Sequence, residues 1–470
     1  MSRSATAQPP TTAKKLTLAE ALSSARETRA RLVAPGALRE TGRVFAEQFP
    51  GSRAVVVADR QTFALAGNAV RESLATAGVA SVEPFIFDDS ALYAEFRFVE
   101  QLEAALRHHD AIPVALGSGT VNDLAKLAAH RLGRPGYLCV ATAASMDGYT
   151  AFGASITYRG AKQTFNCPAP RGVVADIDVI RQAPSPMTAA GYADLLAKVT
   201  AGADWILADA LGAEAIDPRA WAIVQGGLRE ALADPAGARA GRESAIAPLV
   251  EGLMLGGFAM QWSKSSRPAS GAEHQFSHLW DMEHHAHNGE APSHGFKVGL
   301  ATLAVTRLYE RLLARPLDRL DVDRCSENWP TPNALEARIR ATFAGQDFVE
   351  TAVEETRLKH PTPGDLRTQL QRLKTAWPAM RARLQEQLLP AAEVQRRLEQ
   401  VGAPTEPEQI GLSRARLRDS FARAYHIRRR FTVLDVAVRT RLLGPLLEEI
   451  FGAGGCWEIT AAHSSQRPTP

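Results

Sequence analysis

The stretch Ala111-Ile-Pro-Val-Ala-Leu-Gly-Ser-Gly-Thr-Val-Asn-Asp123 passes from a short apolar run into a glycine-containing turn. The run over 111–116 predicts a buried strand, and a helical pattern follows over 124–132. Glycines between a strand and a helix let the backbone approach a phosphate, and the start of the helix supplies free N–H groups. The pattern fits the pyrophosphate of a dinucleotide. An ordinary tight turn would also produce it, because neither a full G-x-G-x-x-G motif nor a P-loop lysine is present.

Comparable strand patterns lie on both sides of this stretch. The β-branched run over 54–58 predicts a buried strand, and 81–87 and 137–141 are further candidates. Helical patterns cover 63–77, 100–108 and most of 17–48. Strands that alternate with helices indicate a parallel sheet, so the N-terminal part is predicted to be α/β. Asp59 follows the first of these strands and could bind a ribose, or it could simply start a turn.

The pattern changes near residue 185, where Pro184 and Pro186 interrupt the chain. From there onward we find almost no strand signal, so the C-terminal part is predicted to be all-helical. A chain of 470 residues exceeds one ordinary hydrophobic core, which favours two domains. We therefore expect an α/β domain over 16–184 and a helical domain over 185–458, with disordered tails over 1–15 and 459–470. The charged segment 355–400 is predicted to form solvated helices.

Half of the histidines are concentrated in one short segment: six of the 12 lie between His274 and His294. His274 and His278 are four residues apart and would share one face of a helix. A single straight helix would place His294 about 30 Å from His274, at about 1.5 Å per residue. A shared site therefore requires the chain to turn back, and the asparagine, glycine and proline within 288–292 permit that turn.

The sequence thus predicts a helix, a loop and a second helix that starts near His294. Imidazole is the commonest side-chain ligand of mid-sized divalent metals, so His274 and His294 are candidate ligands of one ion. Gln275 stands where the zinc-protease motif H-E-x-x-H has its glutamate, which excludes that motif. The histidines in the polar run 284–287 are expected to be solvated.

Asp194 lies in a stretch that is apolar on nearly all sides, and this stretch is predicted to be a buried helix. A buried carboxylate needs a partner. Lys198, one helical turn further on, is the simpler partner, and a metal ion shared with His274 and His294 is the alternative. An Asp-His-His set would leave coordination positions open for a substrate, as catalytic metal sites require.

Composition excludes several other classes of protein. The 54 basic and 51 acidic residues leave a net charge of +3, and no basic stripe with interleaved aromatics indicates nucleic-acid binding. No apolar run is long enough for a membrane span, and the N-terminal segment lacks the apolar core of a signal peptide. The four cysteines form no C-x-x-C pair, so we expect a reduced, cytoplasmic protein without a disulfide framework.

Five motifs, taken in their order along the chain, resemble one known superfamily. They are Gly-Ser-Gly-Thr-Val-Asn-Asp at 117–123, Thr-Ala-Ala-Ser-Met-Asp-Gly-Tyr at 142–149, Gly-Tyr-Ala-Asp-Leu-Leu-Ala-Lys at 191–198, Ser-Gly-Ala-Glu-His-Gln-Phe-Ser-His at 270–278 and His-Gly-Phe-Lys-Val-Gly at 294–299. A late match follows at 427–435. The chain resembles the iron-containing alcohol dehydrogenase and dehydroquinate synthase-like superfamily, and within it the bacterial sn-glycerol-1-phosphate dehydrogenases.

This resemblance implies a Rossmann-like N-terminal domain and a helical C-terminal domain, with the active site in the cleft between them. It implies a divalent ion, zinc or nickel, on Asp194, His274 and His294, and substrate contacts from Asp147 and His278. It also implies NAD(H) or NADP(H) on Asp59, Gly119, Thr120, Val121, Asn122, Asp123, Thr142, Ala143, Ala144, Ser145 and Ala151. The last of these stands where the family commonly has a serine. The segment 315–400 is longer than the resemblance leads us to expect.

The activity that the resemblance implies is the reversible reduction of dihydroxyacetone phosphate to sn-glycerol 1-phosphate. A phosphorylated substrate needs a cation, and Lys198, Lys264, Arg267 and Lys297 are candidates. A glycerol (polyol) dehydrogenase and a dehydroquinate synthase-like cyclase remain alternatives, although the cyclase typically uses a glutamate where Asp194 stands. A non-catalytic binding protein on the same scaffold is a third alternative. We also expect a homo-oligomer, a dimer or larger.

Overall fold

The computed structural model describes residues 15–89, 92–158 and 161–460, without the side chains of residues 161 and 162. The two predicted disordered tails lie almost wholly outside these residues. Within the described ranges, every helix is too short or too polar to cross a membrane.

A parallel sheet forms the centre of the N-terminal half. Its strands are β1 (Ala30–Ala34), β2 (Ala54–Asp59), β3 (Phe85–Phe87), β4 (Ile112–Gly117), β5 (Leu138–Ala141) and β8 (Gly172–Asp176), and β6 (Ala154–Tyr158) and β7 (Ala161–Phe165) form a separate antiparallel hairpin. The sheet order is β1-β8-β5-β4-β2-β3, and every neighbouring pair is parallel. The predicted α/β architecture of this half is confirmed.

The predicted strands match the sheet where both faces are covered. β2, β4 and β5 are buried along nearly their whole length, which requires the continuous apolar runs that the sequence shows. The strand predicted over 81–87 is shorter than expected, because only β3 is formed. The prediction that 17–48 is mostly helical is wrong over β1. This edge strand is half-buried and pairs with β8 alone, so it carries no apolar run. β8 and the hairpin were also not predicted.

Helices cover the two faces of the sheet. They are α1 (Leu18–Leu22), α2 (Thr41–Gln48), α3 (Arg60–Thr62), α4 (Asn68–Thr76), α5 (Phe96–Leu106), α6 (Gly119–Arg131) and α7 (Ile177–Ile180), with a π-helical turn (Phe63–Gly67) between α3 and α4. Side chains of a strand alternate between faces. Val55 and Val57 accordingly belong to one apolar cluster, and Val56 belongs to the other.

The C-terminal half is helical, as predicted. From Ser185 onward the described residues form α8 (Ser185–Leu196), α9 (Lys198–Ala210), α10 (Pro218–Gln225), α11 (Leu228–Ala231), α12 (Pro235–Arg239), α13 (Glu243–Ser263), α14 (Ala272–Met282), α15 (His294–Leu313), α16 (Val322–Ser326), α17 (Pro332–Thr342), α18 (Val349–Lys359), α19 (Pro363–Gln387), α20 (Ala391–Val401), α21 (Arg414–Ala424), α22 (Val433–Arg439) and α23 (Leu443–Phe451). Among the described residues of this half, the one β pairing is an isolated bridge between His287 and Glu290.

The charged segment 355–400 is solvated on one face only. In α19, Leu366, Leu370 and Leu373 are buried at spacings of three and four residues, and this face packs on α9. The segment therefore contributes to the core of the helical half rather than forming detached solvated helices, as its charge content had suggested.

The strand order reverses between β2 and β4. The chain runs from β2 outward to β3 and then returns to form β4 on the other side of β2. The carboxyl ends of these two neighbours carry Asp59 and the turn 117–119. Ligands of open α/β sheets bind outside the carboxyl ends of the strands at such a reversal.

The helical half packs directly against the loop that follows β5. A Cβ added at Gly191 of α8 would lie 1.9 Å from the carbonyl oxygen of Ala144, so the approach is possible only because residue 191 is glycine. At Gly257 of α13, an added Cβ would lie 2.0 Å from Oγ1 of Thr150. The loop 142–151 is therefore held between the sheet and two helices of the other half.

Candidate active site

The histidine-rich segment folds back on itself as predicted. α14 carries His274 and His278, and α15 begins at His294. The intervening loop reverses at Asn288 and Gly289, whose φ angles are +55° and +83°. These left-handed conformations are the ones that asparagine and glycine tolerate best.

Three potential metal ligands meet where α8, α14 and α15 come together. One ligand atom each from Asp194, His274 and His294 lie within 4.8 Å of one another, and Nε2 of His274 is 3.7 Å from Oδ1 of Asp194. Ligand atoms at about 2.1 Å from one tetrahedral ion are about 3.4 Å apart. Small side-chain rotations would therefore close this set around an ion, so the donor set fits a mid-sized divalent metal.

Glu273 fixes the orientation of the His274 ring. Its Oε1 lies 2.8 Å from Nδ1 of His274 and accepts a hydrogen bond from Gly271 N at 2.5 Å, and its Oε2 accepts one from Oγ1 of Thr200 at 2.9 Å. Burial alone would raise the pKa of Glu273, but the hydrogen bond to His274, the charge of that ring and backbone hydrogen bonds together outweigh burial, and the pKa lies below its ordinary value. A carboxylate on Nδ1 leaves Nε2 available for a metal. Sequence analysis gave this residue no role, although an acid beside a candidate ligand histidine was a usable signal.

Lys198 joins two carboxylates that are far apart in sequence. Its Nζ is 2.8 Å from Oδ2 of Asp147 and 2.8 Å from Oδ1 of Asp194, and the lysine is fully buried. The backbone N–H of Asp147 also donates to Oδ2 of Asp194 at 3.1 Å. Each oxygen of Asp194 thus accepts a hydrogen bond and still has a second lone pair for a metal. Lys198, the simpler predicted partner, binds Asp194, and the two histidines predicted to share a metal ion with Asp194 lie beside it.

The charges of this group determine its ionisation. Burial opposes the charged form of Asp194, but Lys198, His294 and His274 outweigh it and hold the pKa of Asp194 well below its ordinary value. Burial, together with the nearby charge of Asp194, raises the pKa of Asp147. Burial would lower the pKa of Lys198, but the two carboxylates raise it above the ordinary value. The lysine therefore stays charged and holds Asp147 beside the donor set.

His278 and Ser277 complete this corner of the site. The ring of His278 is half-buried, with its centroid 6.4 Å from that of His274. Oγ of Ser277 lies 3.3 Å from Nδ1 of His294, which leaves Nε2 of that ring for a metal. The structure therefore brings together all five residues predicted for metal and substrate.

The residues predicted to bind the dinucleotide lie at the carboxyl edge of the sheet. Asp59 caps α3 by accepting a hydrogen bond from Thr62 N at 2.8 Å, and Oγ1 of Thr62 donates to the carbonyl of Leu116 at 3.0 Å. α6 begins at Gly119, and the side chain of Ser118 makes no capping hydrogen bond there. The turn after β4 and the turn after β2 are thereby held next to each other.

The side chains of Asn122 and Asp123, two further predicted cofactor residues, also bind the protein itself. Oδ1 of Asn122 accepts a hydrogen bond from the hydroxyl of Tyr137 at 2.9 Å. Oδ2 of Asp123 accepts one from Ser155 N at 3.0 Å, and its Oδ1 lies 3.3 Å from Nζ of Lys126. These contacts hold the first turn of α6 against the β6–β7 hairpin.

The remaining predicted residues line the loop after β5. Thr142, Ala143 and Ala144 are buried, and Oγ of Ser145 lies 3.3 Å from the hydroxyl oxygen of Tyr149. The carbonyl of Ala151 accepts a hydrogen bond from Nζ of Lys126 at 3.1 Å. Thr120 and Val121 form the first turn of α6 with Gly119.

The candidate phosphate anchors differ in what already binds them. Lys198 is held by Asp147 and Asp194, and buried Lys297 pairs with Asp281. Arg267 is buried and donates to two backbone carbonyls. The exposed Lys264 ends α13 in a left-handed conformation. None of these contacts assigns a phosphate site among the described residues.

One expectation about the histidine run is wrong. His285 is buried, because its Nε2 lies 2.7 Å from the carbonyl of Ile410 and its Nδ1 lies 3.0 Å from a guanidinium nitrogen of Arg416. It links the loop after α14 to α21 rather than facing solvent. His284 is exposed, as expected.

Comparison with known proteins identifies relatives of this chain. Residues 32–184 match the family model described as iron-containing alcohol dehydrogenase. The chain is 31% identical to the glycerol-1-phosphate dehydrogenase (NAD(P)+) of Geobacillus thermodenitrificans over 386 residues, which cover 81% of this chain and 85% of that protein. It is 31% identical to the protein of the same name from Halalkalibacterium halodurans over 316 residues, which cover 67% of this chain and 78% of that one.

Solved structures share the fold at lower identity. A probable glycerol dehydrogenase from Sinorhizobium meliloti superposes with a TM-score of 0.56 at 16% identity, over 89% of this chain and 96% of that chain. The glycerol dehydrogenase of Schizosaccharomyces pombe gives a TM-score of 0.56 at 16% identity, over 90% of each chain.

Proposed function

This chain belongs to the family of glycerol-1-phosphate dehydrogenases within the iron-containing alcohol dehydrogenases, and from this premise we propose the reaction and the residues that perform it. The protein is an NAD(P)-dependent oxidoreductase that interconverts dihydroxyacetone phosphate and sn-glycerol 1-phosphate. The observation that carries the assignment of the site is the convergence of donor atoms from Asp194, His274 and His294 within 4.8 Å.

The proposed metal ligands are these three residues, and the ion is zinc or nickel. When bound, the ion would supply Lewis acidity toward the substrate carbonyl, and the dinucleotide would supply the hydride. Glu273 orients His274 for this purpose through its hydrogen bond to Nδ1. Lys198 keeps one cation beside the carboxylate ligand, which limits the negative charge of the donor set.

The dinucleotide would bind at the strand-order reversal. The first turn of α6, Gly119 to Val121, would offer its backbone N–H groups to the pyrophosphate. Asp59 would accept hydrogen bonds from the ribose, and Asn122 and Asp123 would hold the turn in position through their protein contacts. The segments 142–145 and 151 would lie along the nicotinamide half, next to α8 and its Gly191.

Asp147 and His278 would act on the substrate. Lys198 fixes the carboxyl group of Asp147 beside the metal ligands, where it can accept a hydrogen bond from a substrate hydroxyl. His278 lies one helical turn beyond His274, so a substrate held at the ligands would be within its reach. We assign to His278 the transfer of a proton to the substrate oxygen, directly or through one water molecule.

A glycerol dehydrogenase acting on an unphosphorylated polyol is the second candidate. It is favoured by the folds of the two glycerol dehydrogenases named above, and by the absence of an assigned phosphate anchor among the described residues. A dehydroquinate synthase-like cyclase is less consistent with an aspartate at the position of Asp194.

The proposal also covers the roles of the two domains, the oligomeric state and the cellular compartment. Residues 16–184 would form the cofactor-binding domain, and 185–458 would form the metal- and substrate-binding domain. We further propose that the protein forms a homo-oligomer and acts in the cytoplasm.

Oxidation of NADH by the metal-loaded protein tests the reaction, with dihydroxyacetone phosphate and dihydroxyacetone compared at equal concentrations. Strong preference for the phosphorylated ketone supports the proposal, and preference for dihydroxyacetone moves the protein to the polyol dehydrogenases. Turnover of neither ketone would refute both assignments.

Metal content, measured by mass spectrometry on folded variants, tests the site separately. Asp194→Ala and His274→Ala should lose the ion and the activity together. His278→Ala should keep the ion and lose turnover. His284→Ala, at the exposed end of the same segment, is the control and should change neither. Full metal content in Asp194→Ala or His274→Ala would show that the ligand set is wrong.

A further inference from the structure

A cavity lies in the helical half, away from the donor set. Its volume is 720 Å³, it is partly open to solvent, and it is lined by the turn after α9, the end of α18, α19 and the segment 428–439. This volume falls within the range of about 300–1,000 Å³ that is typical of small-molecule sites. Part of its wall comes from the segment 315–400, to which neither the family resemblance nor the proposed reaction assigns a role.

The wall of this cavity is strongly cationic. Five basic side chains line it, from Lys359, Arg428, Arg429, Arg430 and Arg439, together with the acidic side chains of Glu214 and Glu355. Burial lowers the pKa of His360, which also lines the cavity, so that this ring adds no charge near neutral pH. The cavity therefore has an excess of positive charge.

Both acidic side chains already have cationic partners. Glu355 holds Arg429 at the rim through a two-pronged ion pair. Oε2 of Glu214 lies 3.3 Å from Nε of Arg267, a buried residue behind the wall. Buried Asp435 also pairs with Lys359 and Arg439, so Arg428 and Arg430 are the lining cations without an ion pair among the described residues.

Arg428 is the cation with unused hydrogen-bonding capacity. Within the described part of the chain its guanidinium forms no ion pair and no hydrogen bond, and the residue is half-buried. Nε of Arg439 is buried and also lacks a hydrogen-bond partner among the described residues. A guanidinium can offer two parallel N–H donors to one phosphate or carboxylate.

Burial and the excess of positive charge lower the pKa values of neighbouring basic groups. Burial, with repulsion from Arg267 and Arg428, lowers the pKa of Arg430 to about 9. Burial lowers the pKa of Lys359 to about 8, although Asp435 lies 3.3 Å away. An anion in the cavity would relieve the repulsion among these groups.

We propose that this cavity binds a small molecule carrying a phosphate or diphosphate group, at a site separate from the active site. Arg428 would supply its guanidinium N–H donors and Arg439 only its Nε, because the other nitrogens of Arg439 already bind Gln369, Asp435 and the carbonyl of Lys359. The net positive wall favours a multiply charged anion over a single carboxylate. α9 alone, from Lys198 beside the donor set to Ala210 beside the cavity, spans about 18 Å at about 1.5 Å per residue. The lining of the cavity includes none of Asp194, His274 and His294, so the two sites have separate walls.

The cavity is connected to the metal-binding helix through Arg430. One guanidinium nitrogen of this residue donates to the carbonyl and to Oγ of Ser270 at 2.7 Å, and the other donates to Oγ of Ser266 at 2.8 Å. Ser270 immediately precedes Gly271, whose N–H binds Glu273. An occupant of the cavity would contact a side chain that anchors the start of α14.

The test uses inorganic phosphate as the probe, titrated calorimetrically at constant ionic strength into the full-length, metal-loaded enzyme. Substrate and dinucleotide are left out, because each carries phosphate groups that would compete for the cavity and the two together would react. The wild-type protein should show saturable phosphate binding. Arg428→Gln should weaken it about tenfold or more, since a hydrogen bond between charged groups contributes about 1.5–3 kcal/mol and 1.4 kcal/mol is a factor of ten.

Arg381→Gln is the matched control, because it removes the same charge from an exposed position of α19. It should bind phosphate as the wild type does. The proposal is overturned if the wild type binds no phosphate, if Arg428→Gln binds it equally well, or if both variants are weakened alike. It is also overturned if Arg428→Gln raises the KM for dihydroxyacetone phosphate, which would make the cavity part of the substrate site. Turnover of dihydroxyacetone phosphate is measured separately, so failure of the proposed reaction is distinguishable from failure of this site.

Discussion

Replacing Lys198 by methionine would remove a buried positive charge while nearly preserving the length and volume of the side chain. In the metal-free protein, Asp147 and Asp194 would then lose the cation that lies 2.8 Å from each. Breaking a buried ion pair by removing one partner costs about 3–5 kcal/mol, because the other partner is left charged and uncompensated. We expect a loss of that size in the free energy of unfolding of metal-free Lys198→Met.

A bound divalent ion would replace the missing charge, so the metal-loaded variant should lose less stability than the metal-free variant. By the thermodynamic cycle, the difference must appear as tighter metal binding, tenfold for each 1.4 kcal/mol. The assay is unfolding by urea followed by circular dichroism, with chelator and with saturating zinc. The double variant Lys198→Met with Asp147→Asn should recover part of the loss, because one of the two carboxylates is also neutralised.

Lys15→Met is the control for loss of a lysine. Lys15 pairs with Glu230 on the surface, where both side chains are more than half exposed, so the change should cost at most about 1 kcal/mol. Two outcomes would refute the reasoning about Lys198. One is a metal-free variant as stable as the wild type, and the other is an equal loss of stability with and without zinc.

Three further predictions concern other parts of the chain. Glu273→Gln should weaken metal binding about 10- to 100-fold with little change in fold, because the ligand histidine loses its carboxylate partner; unchanged affinity in a metal titration would contradict this role. Gly191→Ala should destabilise the protein by about 1–3 kcal/mol, since its Cβ would meet a backbone oxygen at 1.9 Å, whereas Gly444→Ala in an open helical position should stabilise it slightly; similar melting shifts for both would exclude the steric explanation. Burial lowers the pKa of His426 from 6.5 to about 3, so the unfolded chain takes up a proton below pH 6.5 that the folded chain does not, and stability falls as the pH drops. Between pH 7.5 and pH 5 the wild type should therefore lose about 2 kcal/mol of unfolding free energy through this group, at about 1.36 kcal/mol per pH unit below 6.5, and His426→Asn should not show this loss. A variant whose stability depends on pH as the wild type's does would contradict the lowered pKa of His426.

The sequence predicted the elements in which nearly every residue is buried. Strands β2, β4 and β5 are covered on both faces, so their sequences are nearly continuous apolar runs. β1 lies at the edge of the sheet and is half-exposed, and its pairing with β8 joins residues about 140 positions apart. Nothing local distinguishes such a strand from a short helix, which explains the error over 17–48.

In the candidate site, too, local sequence predicted some features and only the fold supplied others. The four-residue spacing of His274 and His278, and the turn before His294, follow from local geometry, and the sequence alone determined the helix–loop–helix that carries them. The role of Lys198 was open, because a lysine one turn from an aspartate is its local partner whether or not a third group is present. Only the tertiary structure adds Asp147, which reaches Lys198 from the loop after β5.

The sequence by itself determined an α/β half, a helical half, and the residue types that could hold a metal and a dinucleotide, because these depend on periodicity and on neighbours along the chain. Only the tertiary structure decided the order of the strands, the partners of the buried charges and the cationic cavity. The walls of that cavity come from segments near residues 214, 359 and 430. Burial and electrostatic interactions are set by neighbours in space, and such neighbours can be hundreds of residues apart in the chain.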